Sequence, residues 1–120
     1  IAFCLNKNIK FLSLYTFSIE NFNRSAEEKN FLFEILAQQV YKRLPELIKQ
    51  GLRIRFIGDR ALFPKNLIAI IDDVEQQTQH LHNLHVNVLF CYGGQQEIAY
   101  ACKAIAHKVK AGIVQEDHIN

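Results

Sequence analysis

Residues 11–17 read Phe-Leu-Ser-Leu-Tyr-Thr-Phe, a nearly continuous apolar run of the kind a buried parallel strand shows. The period then changes. Leu32, Ile35, Leu36, Val40 and Leu44 recur at three- and four-residue steps, which makes an apolar helical stripe. Phe33, Ala37 and Tyr41 widen it, and Pro45 falls inside it, where a missing N–H and a bulky ring are expected to kink the helix. Leu52-Arg53-Ile54-Arg55-Phe56-Ile57 alternates, so Leu52, Ile54 and Phe56 share one face of a second strand. Leu67, Ile70, Ile71, Val74 and Leu81 form the next helical stripe, with Pro64 suited to its first turn. A third strand spans His85 to Tyr92, rich in β-branched and aromatic residues. Ile98, Ala101, Cys102, Ile105 and Val109 make the last stripe, stopped at Gly112.

Strand then helix, three times over, implies an α/β fold: a parallel sheet with helices on both faces and right-handed crossovers. Ligands in such sheets bind beyond the carboxyl ends of the strands. Ser18-Ile19-Glu20-Asn21, Gly58-Asp59-Arg60 and Tyr92-Gly93-Gly94 are therefore expected at one edge.

With 120 residues, the chain is one domain or a piece of one. An apolar fraction of 49% supplies a core, and 22% charged residues exclude a disordered tail. The net charge of +2 comes without a Lys/Arg run, which argues against nucleic-acid binding. Three cysteines (Cys4, Cys91, Cys102) without metal-type spacing suit a reducing, cytoplasmic setting. No apolar run approaches the roughly 18 residues that span a bilayer, so membrane contact is expected to be at most peripheral.

The first loop carries the most chemistry. A Ser hydroxyl, an Asn amide and the Arg24 guanidinium within seven residues suit a diphosphate, which Arg grips bidentately; a plain polar loop has the same composition. Ser25-Ala26-Glu27-Glu28 reads as a capping box, with Ser25 as N-cap and Glu28 reaching back. Asp59 suits a turn, and Tyr92-Gly93-Gly94 suits either a phosphate cradle or a turn that needs glycine. His80, His82 and His85 read as a solvated helix end, and Asp72 and Asp73 as the wet face of the second helix.

Leu14-Tyr15-Thr16-Phe17-Ser18-Ile19-Glu20-Asn21-Phe22-Asn23-Arg24 resembles the "LYAFSxENWxRP" segment of cis-prenyltransferases. Arg53 to Asp59 is similar to that family's "VRIRxIGD", Tyr92 to Ile98 to its "NYGGRxEI", and Ala111 to Ile119 to its "G…PEDID". The resemblance implies an enzyme of the undecaprenyl-diphosphate synthase type, condensing isopentenyl diphosphate in cis geometry onto an allylic diphosphate such as farnesyl diphosphate. It implies Mg²⁺, a homodimer, and in bacteria a C55 carrier lipid. By position it makes Asn21 the catalytic residue and Ser18, Ile19, Glu20, Phe22, Arg24 and Glu28 the substrate-binding ones. An amide is a poor base, so Asn21 is expected to orient the isopentenyl group. Phe31, Ile35, Val86 and Val88 could line a tunnel or simply form core.

Residues 1–120 match the centre of a single cis-prenyltransferase domain. The family's N-terminal "DGNGRWA" and C-terminal "RTSGxxRxSxF" segments lie outside this stretch. The Mg²⁺ ligands are expected there, so no metal ligand is assigned here and these 120 residues alone are expected to be inactive. Thr16, Phe22, Ser25, Cys91 and Gln95 depart from the family pattern. Cys91 and Gln95 lean toward an alternative, a catalytically silent partner subunit; the intact Ser18-Ile19-Glu20-Asn21 and Arg24 lean against it. A generic nucleotide-binding domain would need a Gly-rich first turn, and Ser18 to Asn21 contains no Gly.

Overall fold

A computed structural model describes residues 1–119. The elements are α1 (Ala2–Asn6), β1 (Phe11–Ser18), α2 (Ala26–Lys49), β2 (Leu52–Ile57), α3 (Lys65–Thr78), β3 (Leu84–Tyr92) and α4 (Gly94–Lys110). The three strands are parallel in the order β1-β3-β2, so the last strand in sequence lies between the other two. Ile54 pairs with Val86 and Phe56 with Val88, which puts the apolar set of β2 beside that of β3 on one face.

That face is the core. Phe90 is 1% exposed and meets Phe17, Phe33, Phe56 and Phe63 at ring-centroid distances of 5.8, 5.6, 6.5 and 5.1 Å. Leu44 of α2 and Leu67, Ile71 and Val74 of α3 close over the same cluster. Cys4 of α1 joins Leu52, Leu84 and Val86 at the other end of this face.

The outer edge of β2 is sealed by α3. The Ile54 N–H donates to Thr78 Oγ1 at 3.1 Å and the Phe56 N–H to Glu75 Oε1 at 2.6 Å. Thr78 is fully buried and its hydroxyl in turn donates to the Val74 carbonyl at 2.8 Å. Two edge amides that no strand pairs are thereby satisfied.

Helix ends follow local chemistry. Ser25 Oγ accepts the Glu28 N–H at 3.2 Å at the start of α2. At the end of α4, Gly112 takes φ +69, and its N–H and that of Ile113 return to Val109 and Lys108 at 2.9 Å each. That is a Schellman closure, which needs the left-handed residue glycine supplies.

The expected sheet of strand–helix units is present, with four local differences. Among the described residues α1, α2 and α3 pack on one face, while no residue of α4 is buried. Phe11, Ser13 and Tyr15 on the opposite face stay exposed. β1, which reads as a buried strand, is an edge strand with only Phe17 and Ser18 buried, while Leu14 and Thr16 on its core side stay exposed as well. The stripe of α2 centres on Phe33 and Leu44, which leaves Ile35 40% exposed, and the helix continues through Pro45. Pro64 is the N-cap of α3 rather than a first-turn residue, and Leu81 lies beyond that helix.

Candidate functional site

The carboxyl ends of β1, β2 and β3 converge on one edge, as their parallel register requires. Beyond β1 the chain turns into a short 3₁₀ helix, Ile19–Asn23. Ser18 is 8% exposed, and its N–H donates to Asn21 Oδ1 at 3.0 Å. The Ser18 hydroxyl accepts the Asn21 N–H in return. The Asn21 carbonyl oxygen is thus committed to the backbone, and its NH₂ group is the part left to act outward. The Glu20 carboxyl is held below the usual range by its own backbone N–H and then by the Ser18 hydroxyl.

Phe22 lies edge-on to Phe17 at 5.3 Å. Lys29 Nζ donates to the Phe22 carbonyl at 3.1 Å and sits 5.6 Å over its ring. The core thus grips the middle of the loop. Arg24 pairs with the Glu28 carboxylate, both half-exposed. The capping box is therefore only half made: Ser25 caps, but Glu28 turns to Arg24 instead of reaching back, since a guanidinium outcompetes a neutral N–H for a carboxylate.

The other two turns lock together. A Cβ on Gly58 would lie 1.8 Å from the Phe90 carbonyl oxygen, so only glycine passes there. The Asp59 N–H donates to the Cys91 carbonyl at 3.2 Å. Asp59 Oδ1 accepts the Ala61 N–H at 3.0 Å, the turn-holding role its sequence suggests, and Oδ2 accepts the Tyr100 hydroxyl at 2.7 Å. Cys91 is buried at φ +50, and burial, then the Asp59 charge, pushes its thiol up to about 12. The Tyr15 hydroxyl donates to the Tyr92 carbonyl at 3.2 Å, and the Tyr92 hydroxyl is bonded to Glu97. These carboxylates raise both phenols, Tyr92 and Tyr100.

A cleft of about 120 Å³ opens among Ile19, Asp59, Gly93, Gln96, Glu97 and Tyr100. A second, apolar groove of about 230 Å³ runs between β1 and α2 beside Thr16, Leu32, Ile35 and Leu36. Of the four tunnel candidates, Ile35 alone lines it. Val86 is buried core, Val88 packs beside it, and Phe31 is 62% exposed.

The edge gathers Ser18, Ile19, Asn21 and the Gly93 turn, while Arg24, just before α2, and Glu28, in its first turn, sit one step out. Sequence reasoning missed Tyr100 and Glu97. Their i, i+3 spacing puts them on one face of the first turns of α4, a signal hidden by the apolar stripe beside it. His85 stacks on Phe11 at 4.8 Å, while His80 and His82 lie in the turn between α3 and β3. Asp72 is exposed and pairs with Arg60 at 2.5 Å. Among the described residues no three His, Cys, Asp or Glu gather as a metal-binding group, and no helix is long and apolar enough to cross a membrane.

A family model described as "Putative undecaprenyl diphosphate synthase" matches residues 1–120. The ditrans,polycis-undecaprenyl-diphosphate synthase ((2E,6E)-farnesyl-diphosphate specific) of Xylella fastidiosa (strain 9a5c) is 38% identical over all of this chain and 47% of its own length. The tritrans,polycis-undecaprenyl-diphosphate synthase (geranylgeranyl-diphosphate specific) of Archaeoglobus fulgidus is 37% identical over all of this chain and 49% of its own. Lavandulyl diphosphate synthase from Lavandula x intermedia, solved with dimethylallyl diphosphate, superimposes with a TM-score of 0.93 at 31% identity, over 99% of this chain and 51% of that one. The chain spans about half the length of the curated relatives it matches. It belongs to the undecaprenyl diphosphate synthase family of cis-prenyltransferases.

Proposed function

We propose that this chain carries the substrate loop of a cis-prenyltransferase that joins isopentenyl diphosphate to an allylic diphosphate such as farnesyl diphosphate, giving a long polyprenyl diphosphate. The observation that carries this reading is the Ser18–Asn21 turn at the sheet edge, with Arg24 one turn on. In the reaction a carbon–carbon bond forms at the allylic C1, diphosphate leaves with its electron pair, and the new chain loses a proton. Asn21, its oxygen bound to the Ser18 N–H, offers donor N–H groups and orients the isopentenyl diphosphate; the proton passes to a diphosphate oxygen. Ser18, Ile19, Glu20 and Phe22 shape the turn that substrate meets. Arg24 grips diphosphate oxygens in place of Glu28. The apolar groove beside Thr16 and Ile35 accepts prenyl carbon.

Members of the family are expected to use Mg²⁺. The described residues do not fit it by themselves, because Asp59 and Glu97 are each already bonded to a tyrosine and no three-ligand group forms; no step is drawn through the ion. In this reading residues 1–120 are the central stretch of one catalytic domain, working in the cytoplasm as a homodimer.

The test is incorporation of labelled isopentenyl diphosphate, with farnesyl diphosphate and Mg²⁺, by the natural polypeptide that contains these residues. Butanol-extractable long-chain product is the expected result. Product that appears only when a second, catalytic subunit is added would replace this reading with the silent-partner one.

A further inference from the structure

α4 buries none of its residues, yet its first turns touch the substrate loop. Gly93, which precedes it, is buried. A Cβ there would meet Gln96 Oε1 at 2.2 Å on one side and Ile19 Cδ1 at 3.0 Å on the other. Ile19 therefore seats against the start of α4. Among the described residues, a few polar links join that helix start to the sheet edge. The Glu97 N–H returns to the Gly93 carbonyl at 2.9 Å, Tyr92 bonds Glu97, and the Tyr100 hydroxyl reaches across to Asp59 Oδ2 at 2.7 Å. Of these links, the Tyr100 bond alone ties the helix to a different strand turn. Asp59 is itself fixed there by its bonds to Ala61 and to the Cys91 carbonyl.

We propose that Tyr100 and Asp59 form a positioning clamp that holds the start of α4 against Ile19 and thereby sets the Ser18–Asn21 turn. Tyr100 is a positioning residue: it acts through Gly93 and Ile19. The functional consequence rests on the reading of that turn as the substrate loop.

The test is amide hydrogen exchange on the natural polypeptide carrying Y100F, I19A or a control, Y41F, which removes the Tyr41–Asp73 hydrogen bond between α2 and α3. Y100F deletes one hydroxyl from an exposed side chain and leaves the core intact. It is expected to speed exchange at least about fivefold both in residues 94–100 and in residues 18–24, with β2 and α3 unchanged. I19A is expected to loosen residues 18–24 alone, and Y41F neither. Unchanged exchange at residues 18–24 in Y100F overturns the clamp. In the natural polypeptide, Y100F is expected to lower kcat about tenfold with KM for isopentenyl diphosphate within about twofold, because the turn shifts while every group that binds substrate is still present. A raised KM at constant kcat overturns it as well. Absence of activity in the wild type would remove the proposed function, and the exchange result would still decide the clamp.

Discussion

Cys91 occupies a left-handed conformation that β-carbons resist, inside a fully buried position. Among the described residues its Sγ finds only the Leu62 carbonyl, at 3.8 Å. Two consequences follow. Thiol titration of the native protein should give one rapidly reacting group, the exposed Cys102, while Cys4 and Cys91 react only on unfolding; three fast thiols would contradict the burial. The second consequence concerns alkaline pH. An unfolded Cys ionises near 9.0, but the folded thiol keeps its proton up to about 12. The stability this contributes is fully present below the unfolded value and is lost as pH rises toward the folded one. Urea midpoints should therefore fall above about pH 9. Tyr92 and Tyr100, also raised, act with the same sign. C91A should accordingly give a shallower alkaline fall, not a flat one, and an unchanged slope would exclude Cys91 as a cause.

Among elements, β2 and α3 show how far a pattern can be read. Alternation in Leu52–Ile57 predicts the strand and its buried face, and the structure keeps both. The same sequence gives no hint that Thr78 and Glu75 seal the strand's edge, because those bonds join positions 24 and 19 residues apart and depend on where a helix docks. T78V tests the point. The shape is kept, but the Ile54 N–H is left buried without an acceptor, so urea unfolding should show a loss of about 1–3 kcal/mol. No loss would mean that water reaches that edge. Gly58 gives a second test. Its turn is readable as Gly58-Asp59, but the 1.8 Å approach of a Cβ to the Phe90 carbonyl is a tertiary fact. G58A should lower the thermal midpoint by several degrees, on the order of 2 kcal/mol of strain. β1 fails differently. An apolar run reports a strand suited to burial on two faces, and among the described residues only its last two residues are buried. At the candidate site, Ser18, Asn21 and Arg24 stand out because they cluster in sequence. The Tyr100–Asp59 pair is not, because 41 residues separate its members.

At the scale of the whole molecule, one sheet face and one helix stay open among the described residues. Phe11 is 68% exposed and Ile98 67%, and α4 projects an apolar stripe that nothing described covers. Exposed apolar surface of this kind binds dyes and drives association. The 120 residues should therefore bind an anilinonaphthalene dye and self-associate in sedimentation, and F11K with I98K should reduce both. A dye-silent monomer would contradict the open face. Under the proposed function, the Ser18–Asn21 turn presents the Asn21 amide to substrate. Asn21→Asp keeps an oxygen to accept the Ser18 N–H but removes the amide donors. The most direct measurement is labelled isopentenyl diphosphate incorporation by the natural polypeptide with and without that substitution. A loss of at least about 100-fold, with the circular dichroism spectrum unchanged, is the expected result; an unchanged rate would contradict the claim.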